Sequence, residues 1–343
     1  MTPSLRSPCA LAALVVLALL VVTGCTAADG PAERDEVAVL CSNDAEICRA
    51  WAAAFTERSG RDVTLVRLPT SEALERIRRG EGLPEFDVWH GGGAEMYVEA
   101  AEEGLLAPYS SPETAMIPDA FRDPERRWSG VYSSMLAFCI SPPGLAALDA
   151  QTPLTWDDLL DPALTGQVST ASPRTSGTAF TAMSLQIDRL GADAGRDYLE
   201  ALYAQVLQFT RSGTAPVQVV VHGEAAVALT FAPYCEAARA EGHDVETVVP
   251  HDSTDYEIGA VAVLADAPHA RGAREYVDFA LSAEGQRSGA DSGIHQIATR
   301  SDLPGNLAEI LASGRYPLIG SPLAERVERR DELLGWFTAE VER

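Results

Sequence analysis

Residues 169–181 read Ser-Thr-Ala-Ser-Pro-Arg-Thr-Ser-Gly-Thr-Ala-Phe-Thr, and this stretch shows how the chain is built. A β-prone run from 167 to 170 leads into a turn at 172–174. Apolar residues then recur at helical spacing, at positions 180, 183, 187 and 190. The pattern predicts a strand, a turn and a helix that begins near Ser176 or Gly177, with Thr175 or Ser176 as its N-cap.

The start of this helix, Ser176-Gly177-Thr178, is a candidate anion site. The first backbone amides of a helix have no partner within it and lie at the positive end of its dipole. Gly177 allows the backbone to approach a ligand closely, and Arg174 adds a planar cation. The alternative is an ordinary capped helix after a strand, with Arg174 directed to solvent.

The composition limits the possible functions. A chain of 343 residues is too long for one small core, so two domains are expected. There are 50 acidic and 26 basic residues, for a net charge of −24, and every basic residue is arginine. The absence of lysine excludes a Schiff-base lysine, a phosphate-binding Walker lysine and a Ser–Lys catalytic dyad. So negative a charge also argues against nucleic acid as a partner.

Residues 1–24 have the pattern of a signal peptide. Arg6 precedes an apolar run from Ala10 to Val22, which is short for a membrane span. The run ends Val-Thr-Gly-Cys25, which resembles the lipobox of bacterial lipoproteins, whose cysteine receives a diacylglycerol. Cys25 is therefore expected to be the lipid-modified first residue of the mature chain, and residues 25–36 its tether. The alternative is a secretory signal with an incidental cysteine.

Three strand–helix units follow the tether. Their strands are predicted at 37–40, 62–68 and 86–90, and each is followed by a helical pattern. Alternating strands and helices predict a mainly parallel sheet, with ligands beyond the carboxyl ends of its strands. The residues at those ends are Ser42, Asn43, Thr70, Ser71, Gly91, Gly92 and Gly93. For the three glycines, a tight turn is the alternative.

Further strands and helices complete an α/β fold. Strands are predicted at 130–140, 225–231, 244–249 and 259–264, and helices near 176–190, 192–207, 269–281 and 322–341. The mature chain has four cysteines besides Cys25, at 41, 48, 139 and 235. An even number in an exported protein indicates disulfides, and none of the spacings matches a zinc site.

The pattern resembles the solute-binding proteins of bacterial ABC importers, in the branch that holds ferric-ion, hexose-phosphate and phosphonate binders. The resemblance covers about residues 37–300. Six segments carry it in order: Phe86–Glu95, Glu103–Pro112, Leu154–Pro162, Ser172–Thr178, Tyr256–Val263 and Phe279–Gln286.

The resemblance implies a type II periplasmic-binding-protein clamshell, in which two α/β lobes close on a ligand. The crossing hinge strands would be 131–140 and 258–264. Lobe 1 would hold residues 37–131 and 259–343, and lobe 2 residues 132–258. Tyr132, Tyr234, Tyr256 and Glu257 become further cleft candidates, with packed hinge residues as the alternative.

Two disulfides are predicted. Cys41 ends the first strand and Cys48 lies one turn into the next helix, within reach of each other. The resemblance places Cys139 and Cys235 in the same lobe, so we expect Cys139–Cys235 as the second pair. Buried free thiols are the alternative.

The leading hypothesis is a binding module that captures a small anionic solute, such as a phosphorylated sugar or a phosphonate. It would pass the solute to a membrane-embedded ABC permease. The chain would work as a lipid-anchored monomer on the extracellular face of the cell membrane, without cofactor or metal. No nucleophile motif or paired metal-ligand motif supports the alternative of an anchored hydrolase. A ligand-presenting subunit of a sensor kinase stays open.

Ferric ion is the alternative cargo within the same branch. Iron capture there uses an adjacent pair of tyrosines, and no two of the nine tyrosines of this chain are adjacent. The sequence therefore predicts that the chain does not bind ferric ion. The alternative is a non-adjacent pair, such as Tyr234 and Tyr256, that converges in space.

Overall fold

The computed structural model describes residues 36–80 and 82–342. The strands in this part of the chain are β1 (Glu36–Cys41), β2 (Asp62–Arg67), β3 (Val88–Gly93), β4 (Leu106–Ala107), β5 (Ser129–Ile140), β6 (Val168–Ala171), β7 (Val206–Thr210), β8 (Val227–Phe231), β9 (Glu246–Val248), β10 (Tyr256–Leu264) and β11 (Ile297–Ala298). The predicted signal peptide, Cys25 and the predicted tether up to residue 35 lie outside the described residues.

The α-helices of the described residues lie mostly between strands in chain order. They are α1 (Ala45–Ser59), α2 (Thr70–Arg79), α3 (Ala94–Glu102), α4 (Pro142–Ala147), α5 (Gly177–Leu190), α6 (Ala192–Ala204), α7 (Ala215–Val221), α8 (Ala232–Ala240), α9 (Ala270–Leu281), α10 (Ala283–Ser288), α11 (Leu307–Ser313), α12 (Leu323–Glu328) and α13 (Arg330–Glu340). None of these helices is both long and apolar enough to span a membrane.

The strands form one continuous sheet in the order β2-β1-β3-β10-β5-β8-β6-β7. In addition, β4 pairs with β10, and β9 and β11 pair with β5. β2, β1 and β3 are parallel to one another, as are β8, β6 and β7. The long strand β5 joins the two parallel groups. Its residues 129–135 pair with β10, and its residues 136–140 pair with β8. This is the mixed α/β architecture that the sequence predicts.

The hydrophobic core divides along the same line. One cluster surrounds β1, β3 and β10 and includes Trp51, Trp89 and Tyr97. Another surrounds the second half of β5 with β6 and β8, and includes Phe138 and Trp156. Leu333 and Phe337 of the last helix pack against Phe180 of α5 and its neighbours. The C-terminal helix therefore lies against the segment that follows β5 in the chain.

Two helix predictions differ from the structure. The helix expected near 192–207 ends at Ala204, and Val206–Thr210 forms β7 because it pairs with β6. This run is rich in β-branched and aromatic side chains, so strand pairing overrides the helical periodicity before it. The helix expected near 322–341 is divided into α12 and α13, which meet at Arg329.

Both disulfides that the sequence analysis expected are present. Cys41 is bonded to Cys48, with a Cα–Cα distance of 6.1 Å. Cys139 is bonded to Cys235 across 96 positions of sequence, with a Cα–Cα distance of 5.4 Å. The second bridge ties β5 to the helix that follows β8.

Candidate functional site

One small polar cavity lies at the carboxyl ends of β1, β2 and β3 and faces the start of α5. Its volume is about 30 Å³. The wall draws on both parallel groups of the sheet and consists of Ser42, Asn43, Arg67, Leu68, Pro69, Thr70, Gly92, Tyr132, Thr175, Ser176, Gly177, Thr178, Ser212, Gly213, Thr214, Tyr234 and Glu257.

The cavity brings most of the predicted ligand residues together. Those that line it are Ser42, Asn43, Thr70, Gly92, Tyr132, Ser176, Gly177, Thr178, Tyr234 and Glu257. The predicted residues that do not line it are Ser71, Gly91, Gly93, Arg174 and Tyr256. The sequence pattern therefore predicted which segments of the chain reach the cavity better than it predicted which of their residues line it.

Three of the excluded residues have partners elsewhere. Ser71 accepts a hydrogen bond from Arg330 Nη2 at 3.3 Å. The carbonyl of Tyr256 accepts one from Arg326 Nη1 at 3.2 Å. Arg174, the cation expected at the anion site, is half-exposed and donates from Nη1 to Glu342 Oε2 at 2.8 Å. Its side chain thus leads away from the helix start that it precedes in sequence.

The glycine run 91–93, at the end of β3, lets the segments after β1 and β2 approach this strand closely. Gly91 and Gly92 have φ values of 90° and 83°, a region that side chains with a Cβ rarely adopt. A Cβ on residue 92 would lie 2.5 Å from Thr70 Cγ2 and 3.1 Å from Ser42 Cβ. The amide of Gly92 donates to the Tyr132 hydroxyl at 3.0 Å, and this bond holds the end of β3 against the Tyr132 side chain of β5.

The start of α5 forms the opposite wall. Ser176 is its N-cap, and Ser176 Oγ accepts a hydrogen bond from the amide of Ala179 at 3.4 Å. In the described part of the chain, no protein group accepts a hydrogen bond from the amides of Gly177 or Thr178. The predicted helix start therefore faces the cavity with free donors.

A second loop in this wall, Ser212-Gly213-Thr214, did not emerge from the sequence analysis. It follows β7 as the predicted loop follows β6, and these strands are parallel neighbours. A Cβ on Gly213 would lie 2.7 Å from Ser176 Oγ, so the two loops pack in direct contact. The signal was in the sequence: Ser-Gly-Thr-Ala occurs at 176–179 and again at 212–215.

Arg67 is the cation of the cavity, and it too was missed. It is the last residue of β2, which is where ligand-facing side chains are expected in a parallel sheet. Its Nε donates to the carbonyl of Asn43 at 2.8 Å, and its Nη2 donates to Ser212 Oγ at 2.7 Å. A guanidinium held at both ends in this way is oriented before any anion arrives.

Further contacts join the two sides of the cavity. The Tyr234 hydroxyl donates to Asn43 Oδ1 at 2.9 Å. Outside the cavity, Arg211 Nη2 lies 2.5 Å from Glu72 Oε1, and both residues are partly or fully exposed. These bonds, with the one from Arg67 to Ser212, hold the walls together around a space that suits about two water molecules.

Glu257 is the acid of the cavity wall, and it is buried. A Cβ on Gly177 would lie 2.5 Å from Glu257 Oε2, so the carboxyl group lies against the start of α5. A Cβ on Gly93 would lie 2.6 Å from Glu95 Oε2 and 3.0 Å from Glu257 Oε2. Two buried carboxyl groups therefore flank the same glycine at the start of α3.

One buried arginine compensates this acidic cluster. Arg326 Nε lies 2.9 Å from Glu95 Oε1, in an ion pair that is not aligned as a hydrogen bond. Arg326 Nη1 lies 3.5 Å from Asp255 Oδ2. Burial opposes the charge of Arg326, but the carboxylates of Glu95 and Asp255 raise its pKa. Burial and the charge of Glu95 raise the pKa of Glu257 to about 8, against the weaker effect of Arg326.

The tyrosines of the wall keep their protons. Burial is the largest effect on Tyr132 and Tyr234, and it raises the pKa of both above the ordinary value of 10.0. Among the described residues, no three His, Cys, Asp or Glu side chains are grouped so as to hold a metal ion. The arrangement offers hydroxyls, amides, one guanidinium and one carboxyl group, which suits the binding of an anion.

A mixed α/β sheet with a polar cavity between its two parallel groups defines a solute-binding protein of the type II periplasmic-binding class. The model of the family described as bacterial extracellular solute-binding proteins matches residues 37–295, and the chain belongs to this family. It is a binding protein of the ABC-importer type and not an enzyme.

Known proteins support this assignment over most of the chain. An uncharacterised protein of Haemophilus influenzae is 32% identical over 278 residues, which are 80% of each chain. A probable ABC transporter periplasmic-binding protein of Sinorhizobium fredii is 25% identical over 75% of this chain and 73% of its own. The periplasmic binding protein AfuA of Actinobacillus pleuropneumoniae, solved with fructose 6-phosphate, is 29% identical. Its TM-score is 0.83, over 90% of this chain and 98% of that chain.

Proposed function

We propose that the chain captures a small solute with a phosphate or similar oxyanion group and delivers it to an ABC permease. The observation that carries this proposal is the convergence of Arg67 with the free amides of Gly177 and Thr178 in one cavity. A guanidinium and a helix N-terminus are two of the strongest anion-binding groups in proteins. The similarity to a protein solved with fructose 6-phosphate supports the choice of a phosphate ester.

We infer that the cavity is the cleft between two lobes, with β5 and β10 as hinge strands. Lobe 1 would hold residues 37–131 and the chain from 259 onward, and lobe 2 residues 132–258. The packing of Phe337 in α13 against Phe180 of α5 supports moving that last helix to lobe 2. A space of about 30 Å³ is too small for a sugar phosphate, so the ligand enters after the wall contacts open.

Calorimetric titration with fructose 6-phosphate tests the ligand assignment. We expect the wild type to bind, and Arg67→Gln to lose about 1.5 to 3 kcal/mol of binding free energy, the value of a hydrogen bond to a charged group. Arg174→Gln is the matched control, because Arg174 lies outside the cavity. Equal affinities for the wild type and Arg67→Gln would contradict the proposal.

We also propose that the mature chain is anchored outside the cell membrane through a lipid on Cys25. The apolar run before Val-Thr-Gly-Cys25 supports this. Metabolic labelling with a fatty-acid analogue is expected to mark the wild type and not Cys25→Ala. Labelling of both to the same extent would reject the anchor.

Ferric ion is not the cargo in this proposal. Tyr132 and Tyr234 line the cavity, but they are not adjacent in the chain, and Tyr256 does not line it. Titration with ferric citrate is expected to give no visible tyrosinate band. A saturable band that is lost in Tyr234→Phe would overturn the assignment.

A further inference from the structure

Glu257 faces the same space as the proposed anion, which is unexpected for a carboxyl group. It lies against Gly177 at the start of α5 and against Gly93 at the start of α3. As a carboxylate it would compete with an anionic solute for the same positive ends of two helices. Two like charges in a buried cavity of this size repel each other strongly.

We propose that Glu257 enters the complex as a carboxylic acid and donates a hydrogen bond to the bound anion, so that anion binding is linked to one proton. This inference rests on the proposed function and adds that Glu257 must be protonated for the anion to bind. The donated proton replaces a repulsion by an attraction, and it is available only while Glu257 is protonated. The form of the protein with protonated Glu257 therefore binds the anion, and the form with ionised Glu257 does not.

The surroundings of Glu257 support the protonated form. Its backbone is fixed on β10, where its carbonyl accepts a hydrogen bond from Ser133 Oγ at 2.8 Å. Glu95 of α3 is a buried acid beside it. Arg326 of α12 is the buried cation that pairs with Glu95 and with Asp255, the residue before β10. The pKa of Glu257 is raised to about 8 by burial first and by Glu95 second.

The tyrosines and the arginine near Glu257 do not titrate in the same range. Tyr97, Tyr132, Tyr234 and Tyr256, which approach from α3, β5, α8 and β10, all have a pKa raised above 10.0. The neighbouring carboxylates raise the pKa of Arg326 above its ordinary value, so it stays charged. The two helix N-termini favour the carboxylate, but burial next to Glu95 outweighs them. Burial also raises the pKa of Asp255, against the charge of Arg326, so it is the comparison with Glu257→Gln that assigns a proton taken up near pH 8 to Glu257.

Two probes of constant charge make the proton linkage measurable. A phosphate ester has its second pKa near about 6, so fructose 6-phosphate stays a dianion above about pH 7.5. Sulfate is fully ionised throughout. We expect the affinity of the wild type for either anion to fall about tenfold per pH unit between about pH 8.5 and 10. Proton uptake, measured in buffers of different ionisation enthalpy, should approach one per bound anion.

Glu257→Gln is expected to abolish this slope, whatever its affinity at neutral pH, because its amide donates without titrating. Glu85→Gln is the matched control; Glu85 is paired with Arg76 on the surface, and this variant should keep the slope. A wild-type affinity that is independent of pH, or an unchanged slope in Glu257→Gln, would overturn the inference.

A measurement without ligand separates this inference from the proposed function. Carbon-13 NMR of the ligand-free protein, assigned with Glu257→Gln, should give a Glu257 titration midpoint near 8. A midpoint near the ordinary 4.5 would overturn the inference even if both anions bind. Failure of both anions to bind at pH 7 would instead reject the proposed function, and the donor role with it.

Discussion

The close contact of Gly92, at the end of β3, with Thr70 and Ser42 can be tested with Gly92→Ala. The new methyl group would lie 2.5 Å from Thr70 Cγ2, and the residue has a φ of 83°. Forcing a side chain into left-handed backbone costs about 1 to 2 kcal/mol. Overpacking adds about 1 to 3 kcal/mol. We therefore expect the free energy of unfolding to fall by about 2 to 5 kcal/mol.

Gly104→Ala provides the matched control. Gly104 has a φ of 76°, but a Cβ there would have no atom within 4 Å. It should lose only the backbone contribution of about 1 to 2 kcal/mol. Urea unfolding with an unchanged m-value measures both losses.

Ligand binding is a second measurement that compares Gly92→Ala with Gly104→Ala. Gly92→Ala displaces Thr70 or Ser42, so we expect weaker binding of fructose 6-phosphate, whereas Gly104→Ala should bind as the wild type does. Equal losses of stability, together with unchanged binding in both variants, would refute the argument from close approach.

Three further predictions concern stability. Replacing both cysteines of the Cys139–Cys235 bridge by alanine should cost about 4 to 5 kcal/mol, because the bridge closes a long loop. The same change at Cys41–Cys48 should cost about 2 kcal/mol in urea unfolding. Arg326→Met should cost about 3 to 5 kcal/mol because it leaves buried acids unpaired. Arg174→Met, which breaks an exposed pair, should cost under about 1 kcal/mol; similar losses would contradict the burial argument. Finally, the raised pKa of Glu257 stabilises the native state at low pH, and this contribution is lost as pH rises from 4.5 to about 8. The wild type should therefore lose up to about 1.4 kcal/mol per pH unit more than Glu257→Gln in this range, and parallel pH profiles would exclude it.

The sequence predicted best what depends on local pattern. The strands before Ser42 and Thr70 follow from short apolar runs, and the helix after Ser176 follows from its cap and its periodicity. The strand predicted at 86–90 is present as β3, but it continues through Gly93 because Gly93 pairs with Gly259 of β10. Because the carboxyl ends of parallel strands meet at one edge, the segments after β1, β2 and β6 could be placed at the cavity without knowing their contacts, whereas the loop after β7 was missed because its strand was predicted as part of a helix.

Contacts between distant parts of the chain account for what was missed. Arg174 stands beside the anion site in sequence, yet its guanidinium pairs with Glu342 at the far end of the chain. Arg67 reaches the site because Asn43 and Ser212 hold it there. Nothing in local pattern shows that Arg326 pairs with Glu95 inside the protein. Such pairings follow from tertiary packing, which periodicity does not encode.

A crystal structure of the mature protein with fructose 6-phosphate is the most direct test of the central claim. We predict phosphate oxygens within hydrogen-bonding distance of the Arg67 guanidinium and of the Gly177 and Thr178 amides, with a Glu257 carboxyl oxygen facing the phosphate. A sugar phosphate bound outside the cavity, or inside it without contact to Arg67 and to the start of α5, would contradict the account.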